Sequence, residues 1–193
     1  MEAFYTLQGE GFHQGKAAYF IRLAGCDVGC HWCDVKESWN VADHASFLVE
    51  DIVNQAVNFS ARLAVITGGE PLMHNLDFLT KSLKEKGFQT NIETSGVYAV
   101  SGIWDWICFS PKKFKKPKPE IFKVANELKV IVYNESDFEF AESFVQELNP
   151  NCQLFLQTEW SKREKMMPLI IEYVKNNPKW RVSLQTHKYM DIP

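Results

Sequence analysis

The stretch Gly25-Cys26-Asp27-Val28-Gly29-Cys30-His31-Trp32-Cys33-Asp34 carries three cysteines in the spacing C-x3-C-x2-C. No other feature constrains the chain as much. Three thiolates on one short loop can hold three corners of an iron–sulfur cluster, and Gly25 and Gly29 give the backbone freedom to curl. A four-iron cluster held this way keeps one iron without a protein ligand, open to a small molecule. The rival reading is structural zinc. A closed zinc site takes four ligands, usually from paired C-x2-C hooks, and only one hook is present, so His31, Cys108 or Cys152 would have to complete it. Five cysteines are an odd number, which speaks against a disulfide framework. Cys108 and Cys152 adjoin apolar strands and read as core residues.

The rest of the chain supports an ordinary globular domain. Its 193 residues, 46% hydrophobic and 23% charged, allow one domain over 1–193 with a core of its own and exclude disorder as the main state. A net charge of −3 gives no argument for binding nucleic acid or an acidic membrane. No apolar run approaches the roughly 18 residues of a membrane span. The start, MEAFYTLQGEGF, lacks the basic-then-apolar pattern of a secretory signal, so the expected location is the cytoplasm.

Strand and helix patterns alternate. Ala18–Leu23 reads as a strand and the cysteine loop follows it. Ser46 is placed to cap a helix over Phe47–Phe59, whose apolar positions Leu48, Ile52, Val53, Ala56 and Val57 keep helical spacing. Leu63–Ile66 is a short buried strand, Leu76–Lys86 a helix stopped by Gly87, and Asn91–Ile92 lies in another strand. Trp106–Phe109, Glu127–Tyr133, Gln153–Leu156 and Arg181–Leu184 read as strands, Ser136–Leu148 and Lys162–Lys175 as helices. Phe140, Phe144, Val145 and Leu148 share one helix face. Such alternation predicts an α/β fold with a mostly parallel sheet. About six strands are fewer than a closed barrel's eight, so a partial, open (β/α)6-like barrel is expected.

The unusual residues come directly after strands: the cysteines, Thr67–Pro71, Glu93–Gly96, Ser110–Lys112 and Gln157–Trp160. In parallel α/β architectures these strand ends line one rim, where ligands bind. In Thr67-Gly68-Gly69-Glu70-Pro71, two glycines let backbone approach a ligand closely, although taken alone the segment is a turn. Lys112-Lys113-Phe114-Lys115-Lys116-Pro117-Lys118 holds five lysines; a solvated loop is the default reading, a ligand contact at Lys112 the next, RNA binding the last.

The cysteine loop, with the aromatic Trp32 before its last cysteine, resembles the signature of radical S-adenosylmethionine (SAM) enzymes, and the GGEP segment resembles their SAM amino-group motif. Leu7-Gln8-Gly9-Glu10-Gly11, Phe20 to Cys26, Cys33-Asp34, Ser38-Trp39 and Ser183 to Lys188 extend the likeness over nearly the whole chain. In that order they resemble the 7-carboxy-7-deazaguanine synthase family. The resemblance implies the barrel of radical SAM enzymes, a [4Fe-4S] cluster on Cys26, Cys30 and Cys33, and SAM on its open iron. It implies radical ring contraction of 6-carboxy-5,6,7,8-tetrahydropterin to 7-carboxy-7-deazaguanine with loss of ammonia, in queuosine and deazapurine biosynthesis. It places Trp32, Asp34, Gly69, Ser95, Ser110, Lys112, Gln157 and Trp160 at SAM, and Leu7, Gln8, Gly9, Arg22, Thr67, Glu93, His187 and Pro193 at the substrate. Arg22 suits a carboxylate grip, and Glu93 can accept two N–H bonds from an aminopyrimidinone edge. Read without the resemblance, Arg22 pairs on a sheet face, Glu93 caps a turn and His187 lies on the surface. A flavodoxin or ferredoxin as reductant and a homodimer are also implied.

One position departs from the family. Thr or Ser commonly follows Cys33-Asp34 and helps bind Mg²⁺; here Val35 offers no oxygen. Either the ion binds through Asp34, water and substrate, or it is weak or absent, or a nearby cation such as Lys36 replaces it. Two rival functions stay open at this level: a glycyl-radical-enzyme activating protein, and a non-catalytic zinc or RNA-binding module.

Overall fold

The computed structural model describes residues 1–193. Eight strands form one sheet in strictly sequential order. They are β1 (Glu2–Leu7), β2 (Ala17–Leu23), β3 (Leu63–Gly68), β4 (Gln89–Thr94), β5 (Trp106–Phe109), β6 (Glu127–Val132), β7 (Gln153–Thr158) and β8 (Trp180–Ser183). From β2 to β8 every pairing is parallel; β1 is antiparallel to β2. The sheet therefore has a closed barrel's number of strands yet stays open, because β8 and β1 do not pair. The strand count of about six falls short mainly because β1 is a hairpin partner of β2, outside the strand–helix rhythm.

Six helices accompany it: α1 (Val49–Ala56), α2 (Asp77–Glu85), α3 (Glu120–Val124), α4 (Ser136–Val145), α5 (Arg163–Asn176) and α6 (Thr186–Met190). Ser46 does not cap α1. The helix starts three residues later at Val49, with Leu48 at its N-cap and no side-chain cap, and its acidic first turn (Glu50, Asp51) supplies favourable charge at the positive end instead. Gly87 follows α2 at φ +79°, the left-handed conformation that ends a helix. The short α3 and α6, five residues each, carry too little periodicity to be read beforehand. No helix is long and apolar enough to cross a membrane.

A period of two divides the sheet into two faces. Tyr19 and Ile21, Ala64 and Ile66, Ile92, Ile107 and Phe109, Leu128, Val130 and Val132, and Leu154 and Leu156 point to the helices and form the main core with Val53, Leu79, Leu83, Ile121, Phe144, Met166 and Ile170. The alternate residues face the hollow of the sheet: Arg22, Thr67, Glu93, Cys108, Glu127, Lys129, Gln157 and Ser183. Parallel strands usually read as continuous apolar runs because both faces are buried in hydrocarbon. Here one face combines an apolar patch on β2 and β3 (Ala18, Phe20, Leu63, Val65) with the polar and charged residues just named, and it is the face where ligands can enter.

Candidate active site

The cysteine loop leaves β2 and turns back over the open end of the sheet. Gly25 at φ +106° and Gly29 at φ +80° supply conformations that L side chains rarely adopt. Gly25 N donates to Ser38 O at 2.6 Å and Cys26 N to Trp39 O at 3.2 Å, which ties the loop to the segment that follows. Val28 and Cys30 pack on Val97, with Trp32 and Tyr98 beside them. Asp27 accepts from Tyr98 Oη at 2.5 Å and Lys115 Nζ at 2.6 Å. The lysine stretch is thus not simply a solvated loop. Lys115 braces the cysteine loop, Lys113 pairs with Asp137 at 2.6 Å, and Lys112 turns inward to donate to Ser110 O and Oγ.

The Thr67–Pro71 segment lies directly under this loop. Gly69 N donates to Leu23 O at 2.9 Å and Glu70 N to Gly25 O at 2.7 Å. The buried Glu70 carboxylate accepts from Leu72 N, Thr94 Oγ1, Ser95 N and Ser95 Oγ. It thereby joins the ends of β3 and β4, and its four donors satisfy a charge that would otherwise be costly to bury.

Loop, GGEP turn and strand ends enclose one cavity of about 290 Å³. Cys26, Cys30 and Cys33 line it together. So do all the residues placed at SAM by resemblance: Trp32, Asp34, Gly69, Ser95, Ser110, Lys112, Gln157 and Trp160. All those placed at the substrate line it as well: Leu7, Gln8, Gly9, Arg22, Thr67, Glu93, His187 and Pro193. Arg22 is also engaged elsewhere, 3.0 Å from Glu2 across the hairpin and over the Phe4 ring. Lys36 is exposed and outside the cavity; the cation beside Asp34 is Lys188, at 2.8 Å.

The donor set fits an iron–sulfur cluster better than zinc. No three His, Cys, Asp or Glu side chains are gathered closely enough to hold a single ion. His31 packs edge-on against Phe114 and Tyr133. Cys152 is half-buried beside the helix-side core, whereas Cys108 faces the polar hollow rather than that core. Three cysteines with no fourth partner, all facing one cavity, match a larger group with three corners to fill. Burial pushes the Cys26 thiol up and the Cys30 thiol to about 11, with Lys112 opposing the shift on Cys30, so bound metal is what would hold these sulfurs as thiolates.

Below the cysteines the cavity is polar. Lys129 Nζ sits between Glu10 Oε2 at 2.6 Å and Glu93 Oε2 at 2.9 Å. Gln185 Nε2 donates to Glu10 Oε1 at 2.9 Å and Gln8 Nε2 to Glu93 Oε1 at 3.3 Å. Burial alone would raise the Glu10 pKa; Lys129 outweighs it and holds the carboxyl at about 2. Segments near the two ends of the chain are tied together: Thr186 N and Oγ1 both donate to Gly9 O at 2.9 Å, and Gly11 N to Ser183 Oγ at 2.9 Å. Glu10, Glu70, Lys129 and Gln185 were not singled out from sequence as binding residues. Glu10 and Glu70 stood inside motifs already noted; Lys129 in Leu128-Lys129-Val130 gives only an alternating pattern that reads as a solvent-facing lysine.

Beneath this network, buried His13 meets Asn91 Nδ2 at 2.9 Å and stacks edge-on against Phe12 and Trp106. Burial, helped by Lys16, lowers its pKa from 6.5 to about 4. A histidine kept neutral in the native state takes up its proton first in the unfolded chain. Its stabilising contribution is complete above pH 6.5 and is lost as pH falls from 6.5 to 4, by roughly 2–3 kcal/mol. Urea unfolding at a series of pH values checks this: stability should decline across that window, and His13→Gln should flatten the decline. His187, also lowered by burial, adds a smaller slope that the variant keeps.

Comparison with known proteins follows the same lines. Residues 20–107 match the Radical SAM superfamily. The chain is 60% identical over 193 residues to 7-carboxy-7-deazaguanine synthase from Flavobacterium psychrophilum, covering 100% of this chain and 91% of the relative. It is 48% identical to the protein of that name from Synechocystis, covering 99% and 91%. The crystal structure of QueE from Escherichia coli superposes with a TM-score of 0.83 at 33% identity, over 95% of this chain and 91% of that one.

Proposed function

The chain belongs to the 7-carboxy-7-deazaguanine synthase family of radical SAM lyases, and from that membership we propose how its cavity binds cofactor and substrate. The reaction is the contraction of 6-carboxy-5,6,7,8-tetrahydropterin to 7-carboxy-7-deazaguanine with loss of ammonia. The observation that carries the reading is the convergence of three cysteines and one carboxylate-rich hollow on a single cavity.

Cys26, Cys30 and Cys33 would hold a [4Fe-4S] cluster. With SAM on its open iron, the cluster supplies a 5′-deoxyadenosyl radical, the hard chemistry of the reaction. The protein's own task is to orient and to keep water out. Gly69, with no side chain, leaves the backbone of the turn close enough to hold SAM. Ser95, Ser110, Lys112 and Gln157 offer polar groups along the same wall, while Trp32 and Trp160 give it apolar surface and Asp34 stands at the rim. The substrate lies deeper, between Leu7, Gln8, Gly9, Thr67, Glu93, His187 and Pro193. Glu93 accepts from the amino edge of the heterocycle. Arg22 grips the substrate carboxylate; the Glu2 pair it shares is half-exposed, and such pairs contribute only about 0–1 kcal/mol, so exchange is easy.

Val35 brings no oxygen to a magnesium ion, so the exposed Asp34 carboxylate, which pairs with Lys188, is the one side-chain oxygen donor that the Cys33-Asp34-Val35 segment offers. By resemblance to the family, a flavodoxin or ferredoxin delivers the electron, the protein acts as a homodimer over one domain, 1–193, and it works in the cytoplasm.

The deciding experiment is anaerobic incubation of the iron- and sulfide-reconstituted protein with the tetrahydropterin, SAM and dithionite. Accumulation of 7-carboxy-7-deazaguanine, without stoichiometric loss of SAM, is expected. A fully reconstituted protein that forms 5′-deoxyadenosine but no deazaguanine overturns the reading.

A further inference from the structure

Lys129 has no part in the assignments above, yet it is the most deeply buried cation of the cavity. It projects from the middle of β6 into the hollow, its side chain 4% exposed, and its Nζ donates to Glu10 and Glu93. An ammonium has three N–H donors. The protein takes two, and the third meets no protein acceptor although Lys129 lines the cavity. A buried charged donor left without a partner is costly, so the bound ligand is the natural source of the missing acceptor. Burial opposes the charge on Lys129. Cys108, Glu10, Glu93 and Glu127 outweigh burial and raise the pKa above the usual lysine range. Cys108 is itself kept as a neutral thiol by burial, so the carboxylates are what keep the ammonium charged.

Glu93, Lys129 and Glu10 make a row of acceptor, donor and acceptor. The row is rigid, because Gln8 fixes the far oxygen of Glu93 and Gln185 that of Glu10. The edge of an aminopyrimidinone ring is a carbonyl acceptor followed by a ring N–H and an amino group. The two patterns are complementary with Lys129 at the carbonyl and Glu93 at the N–H and amino groups.

We infer that Lys129 is a specificity-determining residue, donating its third proton to the ring carbonyl of the substrate and so selecting 4-oxo over 4-amino heterocycles. The inference rests on Glu93 being the residue that binds the amino edge. A 4-amino ring turns an N–H₂ toward the ammonium, so two donors face each other. Its ring nitrogen also loses the hydrogen that Glu93 accepts. Sites built around hydrogen bonds of this kind discriminate strongly, because a wrong ligand leaves buried polar groups unpaired.

The test is equilibrium binding by fluorescence titration. It uses the reconstituted enzyme with SAM, under nitrogen, and two stable probes: 6-carboxypterin and 2,4-diaminopteridine-6-carboxylate. The wild-type protein should prefer the oxo probe by about 100-fold or more. Lys129→Met alone would leave Glu10 and Glu93 facing each other unpaired. The decisive variant is therefore Lys129→Met with Glu10→Gln, which keeps the net charge of the hollow. It should lose at least about tenfold of the preference, by weakening the oxo probe rather than the diamino one. General damage would weaken both probes alike and leave the ratio unchanged. Glu93→Gln serves to separate the two readings. If Glu93→Gln weakens the oxo probe and the double variant keeps the wild-type ratio, the role of Lys129 is wrong and the placement of the heterocycle stands. If neither weakens it, or the wild-type protein shows no preference, the inference falls, and in the first of these cases the placement falls with it.

Discussion

Cys33→Ala abolishes both the iron chromophore and the turnover of reconstituted protein. Three cysteines line the cavity, neither Cys108 nor Cys152 does, and the loop's own His31 is packed against Phe114. A cluster with three protein ligands and one open iron cannot give up another corner and remain bound. The variant should retain less than about a tenth of the wild-type iron, because thiolate coordination supplies the protein's hold on the cluster. Cys33 is half-buried in the loop and outside the main core, so the metal-free variant should melt close to the metal-free parent. Cys152→Ala is the control: Cys152 packs against the helix-side core and does not line the cavity, so this variant should keep its full iron content. Iron analysis and the visible spectrum decide the matter. Full iron in Cys33→Ala would overturn the proposed ligand set.

Gly69→Ala is expected to cripple the enzyme by a different route. A methyl group there would lie 2.3 Å from Gly25 O and 2.9 Å from Cys26 Cβ. Neither side can yield cheaply. Gly69 N is bonded to Leu23 O, and Glu70 N to the same Gly25 O that the methyl would strike. Relief requires the GGEP turn and the cysteine loop to move apart by the better part of an ångström. Misplacements of about 1 Å can cost about 100-fold in rate even far from the chemistry. A fall of that order in kcat/KM is expected, with a destabilisation of about 2–4 kcal/mol. Gly87→Ala separates strain from position. Gly87 has the positive φ that Gly69 lacks, and nothing lies within 4 Å of the added carbon. It should cost about 1 kcal/mol and leave kcat/KM untouched.

The sequence made the rim of the sheet legible and left its interior hidden. The cysteine loop and the GGEP, Glu93-Thr94-Ser95 and Ser110-Pro111-Lys112 segments announce themselves because each breaks a hydrophobic run at a strand end. All of them do meet around one cavity. Lys129 and Glu127 were invisible for the opposite reason. They alternate with Leu128 and Val130, and alternation in a strand ordinarily means one wet face. Here the polar face is turned inward, and Glu127 and Lys129 are almost as buried as the core. The missed strand β1 has a physical cause too: all but its first residue are half-buried, so neither face stands out. Ser46 misled because a good capping side chain is only a local preference, and α1 begins where its apolar positions first reach the core.

The period of two that divides the sheet has an evolutionary consequence. Along β6, neighbouring residues answer to different masters: Leu128 and Val130 to folding, Lys129 to whatever molecule arrives. A lineage can therefore revise its chemistry at every second codon of a strand while the scaffold that carries it stays intact.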